Sequence, residues 1–115
     1  GKDEIRAYIE NHYYPLDFTL DEIRPAYAFD VSCQGSVPPA IVAFLESTDY
    51  EDAIRNAVSI GGDSDTIAAI TGGIAEAHYG LTDLQRTQAL VRLPSDLRAI
   101  VQEFEALVKT EGAVA

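Results

Sequence analysis

Cysteine, basic residues and long apolar runs are all scarce in this sequence, and each scarcity excludes something. The single cysteine among 115 residues, Cys33, rules out an internal disulfide framework and fits a reducing compartment. Only 8 Lys and Arg stand against 19 Asp and Glu, a net charge of −11 at neutral pH. That charge repels phosphate backbones and anionic lipid, which disfavours a nucleic-acid or membrane-surface role. It leaves divalent cations as plausible partners. The most apolar stretch, residues 67–77, is interrupted by Thr71 and Glu76 and falls short of the ~20 residues a membrane span requires. No basic-then-apolar signal segment opens the chain, where Lys2, Asp3 and Glu4 lead into an amphipathic stretch. What is present is a hydrophobic content of 47%, enough to bury a core. The expectation is a soluble, cytoplasmic protein with one domain over residues 1–115 and a frayed tail at 110–115.

The apolar spacing is helical nearly throughout. Ile5, Tyr8 and Ile9 predict a helix over residues 3–13, ended by Pro15. Thr19-Leu20-Asp21-Glu22 has the form of a capping box, with Pro25 limiting the helix that follows to about two turns. Residues 26–35 alternate in character around Tyr27, Phe29 and Val31 and are read as an extended loop. Ser36 reads as an N-cap, with Pro38 and Pro39 in the first turn after it. Thr48 to Glu51 forms a second capping box, and Gly61-Gly62 breaks the helix it opens. A further helix starts between Asp63 and Thr66 and ends at Gly80. Thr82 with Gln85 opens the next, and Ser95 caps a last amphipathic helix through Leu97, Ile100, Val101, Phe104 and Leu107. The prediction is an all-α fold, a compact bundle of about six helices with short connections.

The stretch that carries chemistry is Gly61-Gly62-Asp63-Ser64-Asp65-Thr66. On a regular helix, residues i and i+2 diverge by roughly 200° and cannot share a ligand. In a turn freed by glycines two such carboxylates can converge, and the Thr66 hydroxyl can join them. Two carboxylates and a hydroxyl form a hard, oxygen-only set suited to Mg²⁺, Mn²⁺ or Ca²⁺. Three side chains are too few for a protein-only Ca²⁺ cage and suit a Mg²⁺ that keeps its waters. Acidic and hydroxyl residues also gather at helix starts because they satisfy free backbone N–H groups and complement the helix dipole. Both readings stand on spacing alone. An EF-hand is excluded, because Ile67 and Ile74 occupy positions that need oxygen ligands.

The helix that follows carries Ala68, Ala69, Gly72, Gly73, Ala75 and Ala77, a run of small residues that lets another helix approach closely. Such packing would also hold the Asp63 turn rigid. Cys33 has no basic neighbour in sequence and reads as an inert, partly buried thiol. His12 and His78 lie outside any metal-ligand spacing and read as surface or packing residues, and the tyrosines and phenylalanines as core or interface. Gln34-Gly35-Ser36 reads as a plain helix cap before a ligand-binding one.

The segment from Gly61 to Gly72 closely resembles the C-terminal metal signature of the ADP-ribosylglycohydrolase family, which includes the dinitrogenase-reductase-activating glycohydrolases. Ser36-Val37-Pro38, Ala43-Phe44-Leu45, Tyr50-Glu51-Asp52-Ala53-Ile54-Arg55 and Ala77-His78-Tyr79-Gly80 extend the resemblance over residues 13–104. It implies an all-α fold with two Mg²⁺ ions, sometimes Mn²⁺, in a central cleft. It also implies hydrolysis of the bond from the ribose C1 of ADP-ribose to an acceptor. Asp63, Asp65 and Thr66 would then be metal ligands, with Asp65 bridging both ions. Gly62 and Ser64 would lie against an ADP-ribose-type ligand, and no catalytic residue is assigned. The family's glycine-rich opening segment and its Thr-Asp-Asp metal motif have no counterpart in this sequence. The chain therefore reads as the C-terminal portion of the family's domain, with weak or absent turnover by itself. The alternative is a non-catalytic interaction module that homodimerises or pairs with a complementing N-terminal half.

Overall fold

A computed structural model describes residues 1–112 of the chain. Those residues form seven helices and no strand: α1 (Lys2–His12), α2 (Leu20–Ile23), α3 (Cys33–Leu45), α4 (Tyr50–Ser59), α5 (Ser64–Tyr79), α6 (Asp83–Leu90) and α7 (Ser95–Gly112). The all-α expectation holds, with seven helices against about six. They fall into two compact units, Gly1–Gly80 and the segment from Leu81 onward.

The first unit is built on α3, α4 and α5, each packed on the other two. Its core gathers Leu16, Leu20, Ala40, Ile41, Val42, Ala43, Ala57, Ile60 and Ile67, and a smaller cluster joins Phe44, Ala53 and Ala75. α3 is apolar around most of its circumference, and seven of its residues are buried, from Ser36 to Phe44. The small residues of α5 do part of what the sequence predicts. Gly72 is buried, and a Cβ there would lie 3.2 Å from Ile54 Cδ1, so its lack of a side chain sets how near α4 comes. The buried Thr71 hydroxyl donates to the Ala40 carbonyl at 2.8 Å, tying α5 to α3 with the group satisfied. Gly73, Ala69 and Ala77 are exposed and take no part in that approach.

Two helix starts in the first unit differ from expectation. The N-cap of α3 is Ser32, not Ser36, so Pro38 and Pro39 lie in the second turn and Ser36 is a buried helical residue. Asp30 explains the extra turn: its carboxylate accepts from the Ser32 N–H at 2.8 Å and hydroxyl at 2.6 Å. The Ser32 hydroxyl oxygen in turn accepts from the Gly35 N–H at 3.0 Å. The N-cap of α4 is Asp49, one residue after Thr48, and accepts from the Asp52 N–H at 2.7 Å. Glu51, expected to close that box, instead pairs with Arg55 one turn on at 2.8 Å. α2 is a single turn where two were expected, capped by Thr19 and followed by turn residues around Pro25.

In the second unit the predicted box is present in full. Thr82 accepts from the Gln85 N–H while the Gln85 side chain accepts from the Thr82 N–H. α7 includes Ser95 as its first residue, so Pro94 and not the expected Ser95 stands at the cap position, and the Pro94 carbonyl accepts from the Arg98 N–H at 2.9 Å. Arg86 of α6 and Glu105 of α7 join in a bidentate ion pair. Thr110 to Gly112 continue α7, and the rest of the expected frayed tail, 113–115, lies outside the described residues. None of the described residues forms a helix long and apolar enough to cross a membrane.

Candidate metal-binding turn and its surroundings

α4 ends at Ser59, and the chain reverses through two glycines in the left-handed region, Gly61 at φ 74° and Gly62 at φ 67°. Only glycine adopts that pair without strain. Asp63 is the N-cap of α5 with φ −80° and ψ 69°, outside the helical region, and its side chain makes no capping hydrogen bond. Ser64, Asp65 and Thr66 form the first turn. The non-helical backbone at Asp63 defeats the i, i+2 divergence that a regular helix would impose. The Asp65 carboxyl is held below the ordinary carboxylate range, first by a hydrogen bond shared with the Asp63 carboxyl, then by backbone N–H groups, including that of Thr66 at 3.0 Å. Asp63 and Asp65 are thus brought together, with the exposed Thr66 next to Asp65 and Gly62 and Ser64 on either side of Asp63.

Two carboxyl-bearing residues at one helix start, one of them lowering the pKa of the other, with a hydroxyl-bearing residue next in the chain, are a donor set that fits part of a Mg²⁺ or Mn²⁺ shell completed by water. The cluster stops at two acids: among the described residues no three His, Cys, Asp or Glu side chains are placed to hold a metal ion together.

The loop before α3 comes to the same place, which the sequence reading did not foresee. Tyr27 is half-buried, and its ring covers Gly62 so closely that a Cβ there would lie 2.5 Å from Tyr27 Cε2. Its hydroxyl donates to the Gly35 carbonyl at 2.6 Å. Burial raises the Tyr27 pKa above its ordinary value, and the negative charges of Asp30 and Asp63 raise it further, which puts both carboxylates within electrostatic reach of the ring. Asp30 is itself held low by the Ser32 hydroxyl and N–H, and its carboxylate occupies the space a side chain at Gly35 would need. The signal for this convergence lay in Pro39. Proline has no N–H, so the carbonyl four residues earlier, that of Gly35, has no partner in the helix and is free for a hydroxyl.

The remaining candidates are placed away from any such cluster. Cys33, expected to be partly buried, is exposed as the first residue of α3, because the helix starts a turn early. His12 bonds the Tyr8 carbonyl at 2.8 Å and stacks on its ring. His78 packs edge-on against Phe44 and Tyr79, as a surface packing residue would.

The chain is similar to the ADP-ribosylhydrolase ARH3 of Homo sapiens, 34% identical over 74 residues that make up 55% of this chain and 20% of that protein. The Bos taurus ARH3 is 32% identical over 74 residues, and that of Danio rerio 30% over 77. The chain thus spans about a fifth of the length of these curated relatives. No solved structure matches it. The family model for ADP-ribosylglycohydrolase matches residues 3–113, nearly the whole chain, and on that extent the chain belongs to the ADP-ribosylglycohydrolase family.

Proposed function

We propose that this chain supplies part of the metal site of an ADP-ribosylglycohydrolase, with Asp63, Asp65 and Thr66 as ligands for Mg²⁺ or Mn²⁺. The convergence of the Asp63 and Asp65 carboxyls at the start of α5 carries this reading. In the family reaction, water adds to the ribose C1 as the bond to the acceptor breaks and the acceptor leaves with a proton. Two ions in a complete site would supply Lewis-acid chemistry there, holding ribose hydroxyls and polarising water. This chain's own share is to hold two carboxylates and a hydroxyl at one helix start, with Gly62 and Ser64 beside them as the residues that would lie against an ADP-ribose-type ligand. It carries no Thr-Asp-Asp motif, so its turnover by itself is weak or absent. Calorimetry with Mg²⁺ or Mn²⁺ tests this: weak binding that disappears in Asp63→Ala and Asp65→Ala is expected. Tight binding of two ions by a monomer, or robust release of ADP-ribose, would overturn it.

The length comparison favours a second reading alongside the first, in which a segment bearing the missing motif completes the site. Adding such a segment should then restore ADP-ribose release. Light scattering across protein concentration separates this from completion by a second copy, which would show as a dimer. The cytoplasm is the compartment proposed, since the exposed Cys33 suits a reducing environment.

A further inference from the structure

Tyr27 is not among the proposed ligands, yet it joins two features that both come from unusual backbone. At one end Pro39 deprives the Gly35 carbonyl of its helical partner, and the Tyr27 hydroxyl takes that place at 2.6 Å. At the other end the Cδ2–Cε2 edge of the ring comes so close to Gly62 that a Cβ there would lie 3.0 and 2.5 Å from those atoms. Gly62 is the residue immediately before Asp63, and its φ of 67° sets where the Asp63 backbone enters α5. A glycine pair is the most flexible unit the chain has, and left to itself it would let Asp63 sample many positions relative to Asp65.

We infer that Tyr27 is a positioning residue for the Asp63–Asp65 pair, its ring and hydroxyl clamping Gly62 to the first turn of α3. The role rests on the proposed reading of Asp63 and Asp65 as cation ligands. A cation site gains affinity when its ligands are held before the ion arrives, because less conformational freedom is lost on binding. Tyr27 supplies that restraint from outside the ligand set. The two parts of the clamp are separable: Tyr27→Phe keeps the ring on Gly62 and removes the bond to Gly35, whereas Tyr27→Leu removes both. Gly62→Ala attacks from the other side, forcing the ring away and straining the left-handed backbone.

The test is a Mn²⁺ titration of the full chain followed by paramagnetic broadening of backbone amides, which detects even millimolar binding and reports where it occurs. In the wild-type chain the broadening should centre on the amides of residues 63–66. Tyr27→Phe should weaken the midpoint by about fivefold, the equivalent of one net hydrogen bond of about 1 kcal/mol. Tyr27→Leu and Gly62→Ala should weaken it by more than tenfold, while amide shifts in α4 and the far end of α5 stay in place. A merely structural tyrosine would lower the melting temperature without moving the midpoint. If the wild-type chain shows no broadening at 63–66, or if Asp63→Ala and Asp65→Ala titrate like wild type, the site reading falls and this role with it. If those two abolish the response but folded Tyr27→Leu titrates like wild type, the positioning role alone is overturned. Should Tyr27→Leu fail to fold, an unchanged midpoint in Tyr27→Phe and Gly62→Ala overturns it equally.

Discussion

Phe44 and Phe104 are the same side chain in two regions built on different terms. Phe44 of α3 is 0% exposed, wrapped by Ala53 and Ala75, with His78 and Tyr79 against its ring; Phe104 of α7 is 64% exposed. The unit from Gly1 to Gly80 holds together by burial, whereas no residue from 81 to 110 is buried. What orders the later segment is local and polar: a full capping box at Thr82 and an ion pair between Arg86 and Glu105. Hydrophobic content alone does not distinguish them, since α7 carries Leu97, Ile100, Phe104, Leu107 and Val108 in an exposed row. The lesson is that helical spacing names a face without naming its cover. α3 earns its burial by being apolar on nearly every side and flanked by two partners.

The sharpest way to break this contrast is to truncate both rings. Phe44→Ala should cost about 3–5 kcal/mol in denaturant unfolding, and Phe104→Ala no more than about 0.5 kcal/mol. Equal costs would mean that the α7 row is covered in solution. Within the first unit, Thr71→Val keeps the shape and removes the bond to Ala40, for an expected loss of about 1 kcal/mol in the same measurement. In the second, Thr82→Ala should lower stability by about 1 kcal/mol or less, visible as reduced helicity by circular dichroism and not as loss of the first unit's core.

The smallest effect is one of pH. The hydrogen bond from Arg86 holds the Glu105 carboxyl below its ordinary value of 4.5. A depressed carboxylate stabilises the folded form above its unfolded pKa, and that contribution disappears as pH falls through the lower folded value. The melting temperature of the wild type should therefore exceed that of Glu105→Gln at pH 6, and the gap should close as the pH is taken down through the carboxylate range. The gap should also shrink at high salt, as it must for an exposed pair.

Much of the helical plan was legible because it is written in neighbours: the box at Thr82 and Gln85, the stop at Gly61-Gly62, the end at Gly80. The turn before α5 was legible for the same reason, since two glycines followed directly by an aspartate end one helix and start the next. The start of α3 was not, because Ser32 becomes a cap only once Asp30 holds its hydroxyl, and Ser36 looks as good in isolation. In sequence Tyr27 reads as one more core or interface aromatic, because its contacts depend on two distant glycines and a proline that leaves one carbonyl free. Local chemistry predicts local geometry; a clamp between residues 27, 35 and 62 appears only when the chain is folded.

The adjacent glycines of α5 carry a last consequence. A methyl at Gly72 would press on Ile54, whereas a methyl at Gly73 would meet nothing within 4 Å, and neither glycine has a positive φ. Glycine in mid-helix costs roughly 0.5–1 kcal/mol against alanine through the freedom it keeps in the unfolded chain. Gly73→Ala should accordingly raise thermal stability while Gly72→Ala does not. The dipeptide is therefore half contact and half unspent helix propensity, and the residue next to the helix–helix contact is the place to make this chain more robust without touching its turn.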